Sequence, residues 1–219
     1  VEALQEIRAA LEKGQSARLR ELLGPAVEAG TPPDRILRTM LEVMEQVGKG
    51  FKEDRVFIPE VLMVGRAFNL SLDFLAPLLG EGEAAKSCHL AKAVLGTVKG
   101  DIHDIGKNLV KLMFTGSGVE VVDLGVDVSP EAFVEAVRVH KPDILAMSAL
   151  LTTTMPQQRK TIRALEKAGL RQGVAVFVGG APVTEAYARE IGADYYSSDA
   201  GEAMEMARVV IDRKKAGEH

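Results

Sequence analysis

Residues 100–110 read GDIHDIGKNLV and follow the apolar run AKAVLGTV, so that Asp101 and His103 stand two apart just ahead of a helical pattern. A carboxylate so placed can take a proton from one imidazole nitrogen and leave the other free, as a base or as a ligand. Gly106, three residues on, begins the helix without a Cβ, so a bulky group could lie against the backbone there, and Gly179-Gly180 offers the same permission from another loop. Two bare-backbone positions point to a large flat or elongated ligand. A nucleotide phosphate alone calls for G-x-G-x-x-G or G-x-x-x-x-G-K-S/T, and neither pattern is present.

Blander readings stand beside these. A loop histidine is commonly structural, and His89, His140 and His219 read that way. Asp104 suits a helix cap, with Lys107 and Asn108 as the first turn that follows it. Threonines 152–154 read as turn chemistry, Cys88 as a quiet edge residue, and Met40, Met44 and Met63 as helix core.

The elements that must position these residues fall into two groups. Over residues 1 to about 80 the apolar spacing is helical: Ile36, Leu37, Met40, Leu41, Met44 and Val47 recur at three- and four-residue steps. Punctuation at Gly14, Gly24-Pro25 and Thr31-Pro32-Pro33, with Thr31 as a cap and Pro59 opening the last segment, predicts helices at about 2–13, 16–29, 33–50 and 58–79. Four helices with short turns make a small bundle. From residue 89, the runs AKAVLGTV, VEVVDLG, DILAMSAL, VAVFVGG and ADYYSS alternate with helical segments. Near-continuous apolar runs are strands covered on both faces, which predicts a doubly wound, flavodoxin-like parallel sheet of five strands. Ligands of such sheets bind beyond the carboxyl ends of the strands, where Asp101, His103, Ser148, Leu150, Thr152 and Gly179-Gly180 would lie. The stretch GEGEAAKS, 80–87, reads as the connection, which divides the chain into a helical domain at 1–80, a linker at 81–88 and a sheet domain at 89–219.

Bulk properties narrow the partners. The chain has 219 residues, 47% hydrophobic and 26% charged, with 27 basic residues scattered among 31 acidic ones for a net charge of −4. No basic stripe is available for nucleic acid. A single cysteine excludes an internal disulfide and a multi-thiolate metal site and suits a reducing compartment. The opening VEALQEIRAALEKG is charged and amphipathic, unlike a leader, and no apolar run looks long enough for a membrane span, so the reading is cytoplasmic with no membrane partner.

The motif D-x-H-x-x-G at Asp101, His103 and Gly106, then S-x-L at Ser148 and Leu150 after residues 107–147, then G-G at Gly179-Gly180 after residues 151–178, resembles one family. It is similar to the corrinoid-binding domain of methionine synthase and to the small corrinoid proteins of methanol, methylamine and methoxy-aromatic methyltransferase systems. That family places a four-helix cap before the sheet domain, and GKGFKEDRVFIPEVLM, 48–63, looks like part of it.

The resemblance implies a cobalamin or related corrinoid held base-off, with His103 as the axial cobalt ligand and the displaced base extending into the sheet domain. Asp101 would hydrogen-bond His103, and Ser148 would extend that chain. Gly106, Leu150, Thr152, Gly179 and Gly180, with Ser148, would line the tail's channel. Cobalt(I) prefers no axial ligand and methylated cobalt(III) accepts one, so a proton taken up by the His–Asp pair would tune the ligand. Phe51 and Ile58 would cover the upper, methyl-bearing face and exclude water. With no second catalytic domain recognisable, the implied role is a methyl carrier without a complete active site of its own. It would move between a substrate-specific methyltransferase and a second, accepting one, be served by a reductive activator, and hinge at 80–87. Competing readings are a cobalamin-dependent sensor, an adenosylcobalamin mutase subunit and a receiver-like signalling domain. The third strand end, Ser148-Ala149-Leu150, lacks the aspartate that a receiver phosphorylates.

Overall fold

The computed structural model describes residues 2–53, 55–79 and 89–216, apart from the side chain of Lys52. It divides near residue 90 into two compact units, with 115–119 counted in the first. The expected linker, Cys88 and His219 lie outside the described residues.

The first unit contains α1 (Glu2–Glu12), α2 (Ser16–Glu28), α3 (Pro33–Lys52) and α4 (Ile58–Leu75), the last running into a 3-10 turn at Ala76–Leu78. α1 packs on α2 and α3, and α4 packs on α2 and α3. In α3 the buried stripe is Ile36, Leu37, Met40, Val43, Met44 and Val47. At about 100° per residue Leu41 falls on the flank of that stripe, and Val43 takes its place. α3 starts later than Thr31 could cap: Pro32 is the extended cap residue and Pro33 the first helical one, while the Thr31 N–H turns back to Ala26 O and closes α2.

At the start of α4, Pro59 stands in the first turn, where its missing N–H costs nothing, and the Glu60 carboxylate accepts the Phe57 N–H at 2.8 Å. Its inner face is Val61, Val64, Ala67, Phe68, Leu72 and Leu75. Met63 is not core: with Leu70 and Phe74 it sits on the opposite face, 52% exposed. By length and composition residues 58–78 would suffice to cross a membrane, contrary to the expectation from sequence. The buried half of α4 nonetheless packs as the inner helix of a bundle.

The second unit alternates β1 (Ala91–Thr97), α5 (Ile105–Gly116), β2 (Val119–Asp123), α6 (Pro130–His140), β3 (Ile144–Ser148), α7 (Pro156–Lys167), β4 (Ala175–Gly179), α8 (Glu185–Ile191), β5 (Tyr195–Ser197) and α9 (Ala200–Lys215). The sheet is parallel with order β2-β1-β3-β4-β5. Val94, Leu145, Met147, Val176 and Val178 are buried against Phe133, Val137, Ile162, Leu165 and Ile191. Strand order reverses between β1 and β3, the place where such sheets open a crevice. Register aligns Thr97, Ser148, Gly179 and Ser197 in one row at the carboxyl ends.

Candidate functional site

His103 lies in the loop between β1 and α5. Thr97 at the end of β1 donates its hydroxyl to His103 O at 2.9 Å, which ties the loop back to the strand. Asp101 has no exposed surface, and a buried carboxylate is tolerated only when its oxygens are hydrogen-bonded. Oδ1 accepts from His103 Nδ1 at 2.7 Å and from His103 N at 3.1 Å, and Oδ2 accepts from Leu150 N and Thr154 Oγ1, each at 2.7 Å. Burial pushes the Asp101 carboxyl up, but the donors Thr154, His103 and Leu150 N–H together outweigh it and hold it far below the usual range. An ionised carboxylate against Nδ1 assigns the proton to that nitrogen, leaving Nε2 as a lone pair in the neutral ring. The His103 side chain is 47% exposed, and among the described residues Nε2 has no protein partner.

Ser148 does not extend this chain. It ends β3 in the row between Thr97 and Gly179 and lines the adjoining cavity, while Thr154, one turn into the following loop and buried, reaches Asp101 instead. Thr154 read as turn chemistry from its neighbours, and it does close that turn through Leu151 O at 2.9 Å.

A cavity of about 680 Å3 opens beside His103, between α5, the start of α9 and the ends of β3 to β5. Leu95, Phe114, Ala146, Phe177 and Ala203 line it and are almost fully buried, with Phe114 edge-on to Phe177 at 6.2 Å. Ile102, Ile105, Leu109 and Leu150 line it from exposed positions, together with the polar Asp104, Ser198 and Asp199.

The expected channel glycines all line this cavity, for different reasons. A Cβ on Gly106 would meet nothing within 4 Å, so the space beside it is open. A Cβ on Gly180, whose φ is +124°, would stand 1.9 Å from Ala149 O, and one on Gly179 would be 3.0 Å from Ser197 O. The bare backbone there serves strand ends that approach each other, not a ligand alone. Thr152 is exposed and does not line the cavity. Phe51, half-buried in the last turn of α3, and Ile58, exposed at the start of α4, belong to the helical unit.

Lys107 is more than the first turn of α5. Its buried ammonium donates to Asp123 Oδ1 and Oδ2 at 2.8 and 2.9 Å and to Asn108 Oδ1 at 2.8 Å, and Lys111 adds a contact to Asp123 at 3.1 Å. Burial raises the Asp123 carboxyl, but these lysines and the Gly125 N–H pull it below its ordinary value. A lysine near a helix N-terminus opposes the macrodipole, and that was the one sequence signal of a tertiary role.

Among the described residues no group of three or more His, Cys, Asp or Glu could hold a metal ion. A metal ligated by His103 must therefore bring its other ligands with it, as cobalt in a corrin ring does. One imidazole lone pair beside a cavity with a buried apolar lining suits a corrinoid and its nucleotide tail, so the residues present fit that group.

Residues 91–209 match the B12 binding domain family, and residues 3–76 match a second family of the same description. A corrinoid protein of Desulfitobacterium hafniense is 37% identical over 211 residues, 96% of this chain and 98% of its own. Dimethylamine corrinoid protein 1 of Methanosarcina acetivorans is 38% identical over 210 residues, with the same coverage of both chains. The solved methanol:cobalamin methyltransferase complex of Methanosarcina barkeri superposes with a TM-score of 0.80 at 28% identity, covering 100% of this chain and 86% of that one. With both units matched and the curated relatives covered end to end, the chain belongs to the corrinoid proteins that join a helical B12-binding cap to a Rossmann-like B12-binding domain.

Proposed function

We propose that the protein carries a methyl group on the cobalt of a corrinoid, held base-off with His103 as axial ligand, and passes it between two partner methyltransferases. The observation that carries this reading is a His103 ring whose Nδ1 is gripped by a buried carboxylate at 2.7 Å while the ring lines a cavity. When bound, the corrinoid supplies a cobalt that accepts and releases methyl groups and whose demand for an axial ligand changes with oxidation state.

The chain's own residues do the rest. Asp101 fixes the tautomer and the ring direction of His103. The Thr154 hydroxyl has two acceptors in reach, Asp101 Oδ2 at 2.7 Å and Leu151 O at 2.9 Å. With its proton directed at Asp101 it helps keep that carboxylate an anion, so an extra proton on the His–Asp pair would sit on the imidazole, at Nε2, when that nitrogen is not a ligand. Gly106 leaves room for the cofactor's tail, which Ser148, Leu150, Gly179 and Gly180 would flank. Phe51 and Ile58 would shield the upper face from water.

The partners would be a methyltransferase that loads the carrier, another that unloads it, and a reductive activator. The solved complex of the methanol relative with its methyltransferase supports the first. A net charge of −4 without a basic stripe and a single cysteine favour a cytoplasmic protein that binds neither nucleic acid nor membrane. The reading keeps the domains at 1–80 and 89–219, with a hinge at 80–87.

The test is electron paramagnetic resonance of the protein loaded with cob(II)alamin, with and without nitrogen-15 in its histidines. The axial nitrogen splitting is expected to follow the label and to vanish in His103→Ala. A splitting indifferent to the label would mean that the cofactor keeps its own base, and the reading fails.

A further inference from the structure

The loop that ends in His103 is held from a second side, by a residue with no place in the core. Asp127 lies between β2 and α6, is exposed, and has φ of +56°. Among the described residues only it and Lys141 combine a side chain with a positive φ. Lys141 follows the last residue of α6, where a left-handed residue is an ordinary helix ending. Asp127 ends no helix, so its conformation needs another reason, and aspartate is among the residues that tolerate it best.

The reason is visible in what it touches. Its N–H donates to Asp101 O at 2.9 Å, and its Oδ1 accepts the Gly100 N–H at 2.7 Å. One residue thus grips the N–H of Gly100, one residue before Asp101, and the carbonyl of Asp101 itself. The next residue, Val128, continues the attachment through its N–H to Thr97 O at 2.9 Å. A surface residue holding an uncommon backbone conformation to fix two groups of a neighbouring loop is the pattern of strain kept for function.

We infer that Asp127 is a positioning residue for His103: it holds the loop on both sides of the Asp101 side chain, at the Gly100 N–H and at the Asp101 carbonyl, so that the carboxylate meets Nδ1 and the direction of Nε2 is set. The inference rests on the reading of His103 as the cobalt ligand, but its first consequence, the tautomer of His103, exists without cofactor.

Three variants of the full chain separate the contributions. Asp127→Asn keeps an acceptor and tolerates the left-handed region, Asp127→Gly keeps the conformation without the acceptor, and Asp127→Ala keeps neither. In the cofactor-free protein, nitrogen-15 shifts of the histidine ring should show one Nδ1–H tautomer in the parent and in Asp127→Asn, and a mixture in Asp127→Ala. With cob(II)alamin, Asp127→Ala should bind about tenfold more weakly, as for the loss of one charge-assisted hydrogen bond, and show a smaller histidine-ligated fraction. Asp127→Gly should fall between, and serves in its place if Asp127→Ala does not fold. A folded Asp127→Ala with the parent's tautomer and nitrogen splitting overturns the inference, as does Asp127→Asn losing as much as Asp127→Ala. If instead His103→Ala leaves the splitting intact while the tautomers shift as expected, positioning stands and the ligand reading is what failed.

Discussion

Asp101 is a charge with no surface, and the donors around it come from three places in the chain: His103 beside it, the backbone of Leu150 and the hydroxyl of Thr154. Removing one donor from a buried carboxylate costs more than the hydrogen bond was worth, because the oxygen left behind has no water to replace it. Thr154→Val keeps the shape and deletes the hydroxyl. It is expected to destabilise the cofactor-free protein by about 1–3 kcal/mol, whereas Thr154→Ser should stay close to the parent. Urea unfolding followed through Tyr187, Tyr195 and Tyr196 checks this, since all three tyrosines lie in the sheet unit and the chain has no tryptophan. An unchanged midpoint in Thr154→Val would mean that the hydroxyl contributes nothing to holding the carboxylate.

At the scale of elements, the glycines of the cavity separate what the fold needs from what a ligand needs. Gly106 is the second residue of α5, with open space where its Cβ would be. Gly106→Leu should therefore leave folding intact or raise stability by about 0.5–1 kcal/mol, while its side chain fills the cavity and abolishes cobalamin uptake measured by absorbance titration. Gly180→Ala should lose stability first, because its Cβ would sit inside Ala149 O. Retained cobalamin binding in Gly106→Leu would remove that cavity from the reading. The same contrast explains what could be read from the sequence. α3 and the five strands were legible because burial repeats along the chain, every three or four residues in the helix and continuously in β1. Asp101, His103 and Gly106 were legible because their spacing is short. Thr154 was not, since it meets Asp101 from 53 residues away. The same holds for Lys107 in α5, whose acid partner Asp123 stands at the end of β2, and for Met63, whose face of α4 is decided by three other helices. Asp127 shows its role only in a backbone angle that no residue pattern announces.

For the molecule as a whole, the two low carboxyls in the loop after β1 and at the end of β2 set how stability responds to acid. Asp101 and Asp123 both ionise more readily folded than unfolded. Between the folded value and the unfolded one, near 3.9 for aspartate, the unfolded chain binds more protons, so unfolding takes up protons and stability rises with pH. Their contribution is complete above about pH 5 and is lost as pH falls through 4 toward the folded values. Urea midpoints of the sheet unit should thus be level with respect to these groups from about pH 5 to 7 and fall steeply below 4. Asp101→Asn and Asp123→Asn should each be less stable at pH 7, the second by about 3–5 kcal/mol because it leaves the Lys107 ammonium buried without its anion. Each should also lose less on acidification than the parent, since the group that titrates is gone. Two variants that are weaker at neutral pH and flatter in acid would trace the acid limb to the carboxylates that brace the His103 loop and the start of α5. Parent-like slopes in both would place its origin among the exposed acids, and these two carboxylates would then be stabilised equally in the folded and unfolded chain.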